Sequence, residues 1–172
     1  PGELVLDSGA GQGALTRPLV AAGARVLAVE LHPGRARQLG AEFTGADVTV
    51  VEVDAGQLRL PHRPFRVLAN PPYAVTSALV RLLLAPGSRL TTADLVVQRA
   101  AARRLAERGG GRRFALSLGR AVPRTAFRPA PQVDAPAARA VPTRTRDAPH
   151  AVAPRASSTP AASSAPLTGR SP

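Results

Sequence analysis

The 172-residue chain contains no cysteine, which removes disulfides, thiolate metal sites and cysteine nucleophiles and fits a reducing compartment, the cytoplasm by default. It contains no lysine either, so arginine supplies all 23 basic charges, and against 11 acids the net charge is +12. A surplus of that size points to a polyanionic partner, either nucleic acid or an anionic membrane surface. No apolar run approaches the ~18 residues of a membrane span. The opening Pro1-Gly2-Glu3 has no basic-then-apolar signal pattern, so neither membrane insertion nor secretion is expected. There is no initiator methionine and the first residues already read as a strand, so residues upstream are expected to be missing. The length suits one ordinary domain of ~100–150 residues and leaves no room for a large second one.

Between residues 3 and 97, short runs rich in Val and Leu alternate with stretches of helical spacing, the pattern of β-α-β units on a parallel sheet. The spacing predicts strands at Glu3–Asp7, Arg25–Glu30, Val48–Val53, Phe65–Ala69 and Asp94–Val97. Helices are predicted at Gly13–Ala22, Pro33–Phe43, Thr76–Ala85 and Arg99–Arg108. Nearly continuous apolar strands such as Val26-Leu27-Ala28-Val29 belong in a sheet covered on both faces. The expected class is therefore α/β, a Rossmann-like core on a parallel sheet. Composition changes after Ala135. The final 38 residues hold eleven Ala, seven Pro and five Ser but only three Val or Leu, too little apolar surface to offset the entropy of ordering them. A catalytic core over residues 1–135 and a disordered basic tail over 136–172 are expected.

The strongest local signal is Leu4-Val5-Leu6-Asp7-Ser8-Gly9-Ala10-Gly11-Gln12-Gly13, a strand running into a glycine turn that opens a helix. Glycines let the backbone turn sharply and let a cofactor approach with no Cβ in the way. Gly9, Gly11 and Gly13 are spaced G-x-G-x-G, whereas a dinucleotide fingerprint needs G-x-G-x-x-G. The spacing favours S-adenosylmethionine over NAD, because its methionine part carries no pyrophosphate to cradle. Taken alone, such a turn can also be purely structural. Glu30 closes the second strand, 19 positions after Gly11, where an acid can accept hydrogen bonds from both ribose hydroxyls or simply be solvated. Asp54 closes the third strand, where a carboxylate can accept from an adenine amino group or cap its own loop.

The fourth strand ends in Asn70-Pro71-Pro72-Tyr73, at the edge where open α/β sheets bind ligands. An exocyclic amine conjugated into a purine is a poor nucleophile until acceptors engage its hydrogens. The Asn70 side-chain oxygen and the Pro71 carbonyl supply two such acceptors in a turn stiffened by proline. Tyr73, the one tyrosine in the chain, can stack on an extruded base. The bland reading is that X-Pro-Pro is turn punctuation. His32, His62 and His150 form no motif, and no metal site is expected. From Arg99 to Arg128 there are nine arginines and a single acid, Glu107. That stretch, with Arg99, Arg103, Arg104, Arg112 and Arg113, reads as an electrostatic footprint on RNA or as a solvated helix face.

Taken together these residues resemble the Erm-type rRNA adenine N6-methyltransferases, which confer resistance to macrolide, lincosamide and streptogramin B antibiotics, and the related dimethyladenosine transferases. The resemblance runs from Glu3 to about Ala135. Its anchors are Val5 to Thr16, then Asn70-Pro71-Pro72-Tyr73-Ala74-Val75-Thr76-Ser77, and Phe127-Arg128-Pro129-Ala130-Pro131-Gln132-Val133-Asp134-Ala135, which is similar to the family's F-x-P-x-P-x-V-x-[SA] signature. It implies an S-adenosylmethionine-dependent class I methyltransferase acting on N6 of an adenine in large-subunit rRNA, as a cytoplasmic monomer. By resemblance Asp7, Gly9, Gly11, Glu30, Asp54 and Asn70 fall at cofactor-contact positions, and Asn70, Pro71 and Tyr73 in the catalytic turn. Asp7 stands where Glu is usual, and Pro72 follows Pro71 where the family has an aliphatic residue before a single proline. The family's upstream Q-N-F-type segment is absent. About a strand is expected to be missing between Gly119 and Val122, leaving an exposed sheet edge, and the Ala/Pro tail takes the place of the C-terminal helical domain. Two other readings stay open: a methyltransferase of DNA adenine or protein glutamine, and an inactive fragment that holds RNA by charge.

Overall fold

The computed structural model describes residues 2–72, 74–122 and 135–142. Five parallel strands form the body of the sheet: β1 (Leu4–Ser8), β2 (Arg25–Glu30), β3 (Val48–Glu52), β4 (Phe65–Ala69) and β5 (Leu90–Val96). The helices are α1 (Thr16–Ala21), α2 (Pro33–Glu42), α3 (Thr76–Leu83) and α4 (Arg99–Arg108). Every expected strand and helix is present. Two bounds differ notably. β5 starts four residues earlier than Asp94, because Leu90 and Ala93 are buried beside β4 although Thr91 and Thr92 break the apolar run. α1 starts at Thr16 instead of Gly13, because Gly13 has φ 82°, outside the helical region.

Two further strands complete the sheet, β6 (Phe114–Val122) and β7 (Ala135–Pro142), in the order β3-β2-β1-β4-β5-β7-β6. They correct two expectations. Gly119 and Val122, where a strand was expected to be lacking, lie within β6, and the edge of β5 is not exposed but covered by β7, which runs antiparallel to both β5 and β6. The ordered core does not end at Ala135, since residues 136–142, assigned by composition to a tail, form most of β7. Composition counts side-chain burial, whereas a strand inserted between two others is held along both backbone edges. Its register is also marked by charge, with Arg139 Nε 3.3 Å from Asp94 Oδ1. The rest of the expected tail, 143–172, and most of the Phe127–Ala135 signature lie outside the described residues.

Both faces of the sheet are covered where the site is built. On one side α3 and α4 bring Leu79, Leu83 and Ala102 against Leu6, Val67 and Leu95. On the other, Leu39 of α2 packs with Val26 and Ala28, joined by the half-buried Leu19 and Phe43. β1 lies between β2 and β4, so the strand order reverses beside it. The crevice at the carboxyl ends of β1 and β4 is thus the switch point where open α/β sheets place ligands.

Candidate active site

The glycine turn after β1 and the proline turn after β4 meet at this crevice. Gly9 adopts φ 79°, and a Cβ there would sit 3.3 Å from the Asn70 carbonyl oxygen and 3.3 Å from Pro72 Cδ. The two turns are in direct contact, and a residue without a side chain suits the gap between them. The N–H groups of Gly9 and Ala10 donate to the Val29 carbonyl at 2.9 and 3.0 Å, tying the turn to the end of β2.

Glu30, the last residue of β2, is 5% exposed and holds both flanking loops. Its Oε2 accepts from Gly11 N–H at 2.8 Å and its Oε1 from His32 N–H at 2.9 Å, with Arg35 Nη1 3.6 Å away. Each carboxylate oxygen keeps a second acceptor direction, so the expected role toward ribose hydroxyls is sterically compatible with this bracing role. Sequence reasoning misses the bracing role, since a strand-end acid looks the same whether or not it grips the preceding turn.

Asp7 is not a lining residue of an open crevice. Its side chain is 0% exposed, with Oδ2 accepting from Thr16 Oγ1 at 2.7 Å. Oδ1 and the neighbouring Ser8 Oγ have no hydrogen-bond partner among the described residues. Burial pushes the Asp7 carboxyl up to about 6; the Thr16 hydrogen bond pulls it back, and the negative Glu30 nearby adds to the rise. The folded carboxyl therefore keeps its proton up to about 6, whereas an ordinary one loses it near 3.8. The stability that proton contributes is complete below 3.8 and lost as pH rises through about 6. Asp7→Asn removes the buried charge while keeping an acceptor for Thr16. It is expected to stabilise the chain at pH 8 by at most about 3 kcal/mol, and to leave it unchanged below pH ~4, as read by urea unfolding at both pH values.

Asp54 lies two residues beyond the end of β3, on the same sheet edge, and its Oδ1 accepts from Gly56 N–H at 2.7 Å. One of its oxygens thus serves the loop-capping role. Asn70 follows β4 directly and its side chain is exposed, while Pro71 is buried and Pro72 exposed. The Pro72 carbonyl is occupied, accepting from Val75 N–H at 3.1 Å and Thr76 Oγ1 at 3.3 Å as α3 begins. None of the hydrogen bonds among the described residues uses the Asn70 side chain or the Pro71 carbonyl. The Asn70 side chain is therefore exposed on a turn braced from below by α3 and from the side by Gly9, with Pro71 buried beneath it. Tyr73 lies outside the described residues.

The expected arginines do not form one set. Arg99, Arg103 and Arg104 are exposed on α4, whose Ala102 is buried, and Arg112 is exposed in the following turn. Because α4 follows the carboxyl end of β5, Arg99 in its first turn shares the sheet edge with Asn70. Arg113 instead donates to the Ala85 and Ser88 carbonyls at 3.3 and 2.9 Å and stands 5.4 Å from the Phe114 ring centroid. That guanidinium holds the connection between α3 and β5. Among the described residues no cluster of three or more His, Asp or Glu could hold a metal ion, and no helix is long and apolar enough to cross a membrane.

A family model described as ribosomal RNA adenine dimethylase matches residues 1–149. The chain belongs to that family. The rRNA adenine N-6-methyltransferase of Corynebacterium diphtheriae is 38% identical over 139 residues, which cover 76% of this chain and 54% of that one. The mycinamicin-resistance protein MyrB of Micromonospora griseorubida is 40% identical over 139 residues, 76% of this chain and 44% of MyrB. The ribosomal RNA small subunit methyltransferase A of Thermosynechococcus vestitus is 37% identical over 153 residues, 78% of this chain and 57% of that protein. This member of the ribosomal RNA adenine dimethylase family thus spans about half the length of the curated relatives it matches. Among solved structures, that of the 23S rRNA methyltransferase ErmE superposes with a TM-score of 0.72 at 31% identity, covering 83% of this chain and 62% of ErmE. The Erm-type resemblance is borne out, and the fold is the Rossmann-like fold of S-adenosylmethionine-dependent methyltransferases.

Against this family background the residue that sequence reasoning leaves without a role is Thr16. The signal that could have found it is a hydroxyl in the first helical turn after a glycine loop, nine positions beyond a strand-end acid.

Proposed function

We propose that this chain is the catalytic core of an S-adenosylmethionine-dependent methyltransferase that modifies N6 of an adenine in large-subunit rRNA and thereby protects the ribosome from macrolide, lincosamide and streptogramin B antibiotics. The observation that carries this reading is the contact between the Gly9 turn and the Asn70-Pro71-Pro72 turn at the switch point of the sheet. The residues fit the cofactor. Glu30 has acceptor directions left for ribose hydroxyls, and Gly9 and Gly11 turn the backbone at positive φ at the same sheet edge. S-adenosylmethionine, when bound, supplies an electrophilic methyl group on a sulfonium.

In this reading the target adenine is extruded from its stack. The Asn70 side-chain oxygen and the Pro71 carbonyl would accept the two hydrogens of its amino group and so free lone-pair density on the nitrogen. Tyr73 stacks on the ring. The amine proton would leave to solvent on methylation, and no residue is assigned as its base. Arg99, Arg103, Arg104 and Arg112 pair with RNA phosphates, with the enzyme acting as a cytoplasmic monomer.

The test is incubation of the chain with labelled S-adenosylmethionine and, in parallel, intact large and small ribosomal RNAs, followed by nucleoside analysis. N6-methyladenine in the large RNA is the expected product. The small-subunit relative gives the second reading its specific support. Label in the small RNA alone would replace the large-subunit assignment, and RNA binding without any transfer would leave an inactive RNA-holding core. Replacing Arg99, Arg103 and Arg104 together by alanine is expected to weaken rRNA binding and to flatten its logarithmic salt dependence by roughly 0.7–0.9 for each phosphate that is no longer neutralised. Cofactor affinity should be unchanged. Filter binding from low to moderate salt reads the first effect and calorimetry the second.

A further inference from the structure

We propose that the substrate RNA crosses the α3 and α4 side of the sheet and is held at the far edge by a second contact, a groove in which Arg59, His62 and Arg63 engage its phosphates. This deepens the reading of the chain as an rRNA methyltransferase and rests on it.

The groove has a volume of about 490 Å³ and lies where β1, β2 and β3 begin, the edge opposite the Gly9 and Asn70 turns. Leu4, Val26 and Leu27 form its floor, and the segment joining β3 to β4 supplies its rim with Arg59, His62 and Arg63. All three rim residues are exposed, and none of them forms an ion pair among the described residues. No acid lines the groove. Arg25 also reaches it, but its Nε stands 2.9 Å from Asp47 Oδ2, so that charge is already met. Two guanidinium groups and an imidazole on one concave wall, with no carboxylate between them, suit the oxygens of a phosphate backbone. An anionic membrane fits less well. The apolar side chains of the groove are buried or half-buried, leaving none to enter lipid.

The division of charge between the two sides of the sheet sets the path. Residues 1–52, which supply α1 and α2, hold four arginines against six acids, whereas residues 53–113, which supply α3 and α4, hold eleven against three. The rim segment belongs to the second side, because its Leu58 and Leu60 pack in the same cluster as Leu79 and Leu83 of α3 and Ala102 of α4. A polyanion at the crevice is drawn along this side and gains nothing from the other. β2 is six residues long, so crevice and groove are roughly 20 Å apart. The arginines of α4 serve the crevice end of that path, and the groove serves the other.

The experiment is filter binding of intact large ribosomal RNA to the full chain over a range of salt, for the native protein, the double variants Arg59→Ala/Arg63→Ala and Arg59→Lys/Arg63→Lys, and Arg37→Ala. Thermal unfolding of each protein confirms that folded chains are compared, and vesicles of phosphatidylserine and phosphatidylcholine are titrated in parallel. The double alanine variant should bind the RNA about tenfold more weakly, with its logarithmic salt slope flatter by roughly 1.4–1.8 for two phosphates no longer neutralised. The double lysine variant should recover most of both, since it keeps the charge. Arg37 is equally exposed but lies on α2, on the other side of the sheet, and its loss should change affinity by less than about twofold. Native affinity and slope in the double alanine variant overturn the proposal, as does a lysine variant no better than alanine. An equal loss per arginine in Arg37→Ala shows net charge at work with no groove contact, and also overturns it. Vesicle binding that disappears in the double alanine variant while RNA binding persists assigns the groove to a membrane surface instead. In each of those cases the native protein still binds rRNA and that reading stands; a native protein that binds no rRNA overturns both.

Discussion

Asn70→Ala is expected to slow methyl transfer by roughly a hundredfold or more while shifting stability by less than about 0.5 kcal/mol. The first figure follows from the role proposed for the side-chain oxygen: an acceptor aimed at the amine strengthens as nitrogen develops positive charge, so its loss appears in kcat. The second follows from the structure. The Asn70 side chain is exposed and makes no hydrogen bond among the described residues, so its truncation removes nothing that holds the fold. Single-turnover rates with saturating rRNA, beside thermal unfolding of both proteins, check the pair. A variant that transfers methyl at the native rate would remove Asn70 from the chemistry and leave the Pro71 carbonyl as the acceptor to pursue.

Glu30→Ala should behave in the opposite way, losing binding and stability together. Two backbone N–H groups, of Gly11 and His32, donate to this carboxylate, and both would be left seeking water beside a nearly buried strand end. Stranding such donors costs roughly 1–3 kcal/mol. The same change removes the acceptors proposed for the ribose, so affinity for S-adenosylmethionine should drop about a hundredfold. Glu30→Gln separates the two contributions: its amide oxygen can serve one backbone donor but not both, so it should recover part of the stability and little of the binding. Urea unfolding and calorimetry on the same preparations distinguish these outcomes. Intact affinity in Glu30→Ala would place the ribose elsewhere.

The contrast between these two residues shows how much of the site was legible in one dimension. Asn70, Gly9 and Glu30 each stand at the carboxyl end of a strand, and a parallel β-α-β pattern brings such ends to one edge whatever the details of packing. Gly9 announces itself because a positive φ and a missing Cβ are local backbone demands, and Asn70 because two prolines stiffen the residues after it. Arg113 was not legible in the same way. Within a run of arginines it is indistinguishable from Arg112, and its engagement with Ala85 and Ser88 depends on which carbonyls the end of α3 presents to it.

The amino-acid sequence by itself determined the α/β class, the five parallel strands, the glycine and proline turns and the excess of positive charge. These depend on periodicity, ring geometry and composition, which are properties of neighbouring residues. Tertiary structure alone decided that β7 lies between β5 and β6, that Asp7 is buried against Thr16, and that Glu30 braces the turn it follows by 19 positions. Each of these is a choice of hydrogen-bond partner across the fold. An alanine-rich segment becomes a strand when two backbone edges are waiting for it, and a carboxylate takes whichever donors packing brings within reach.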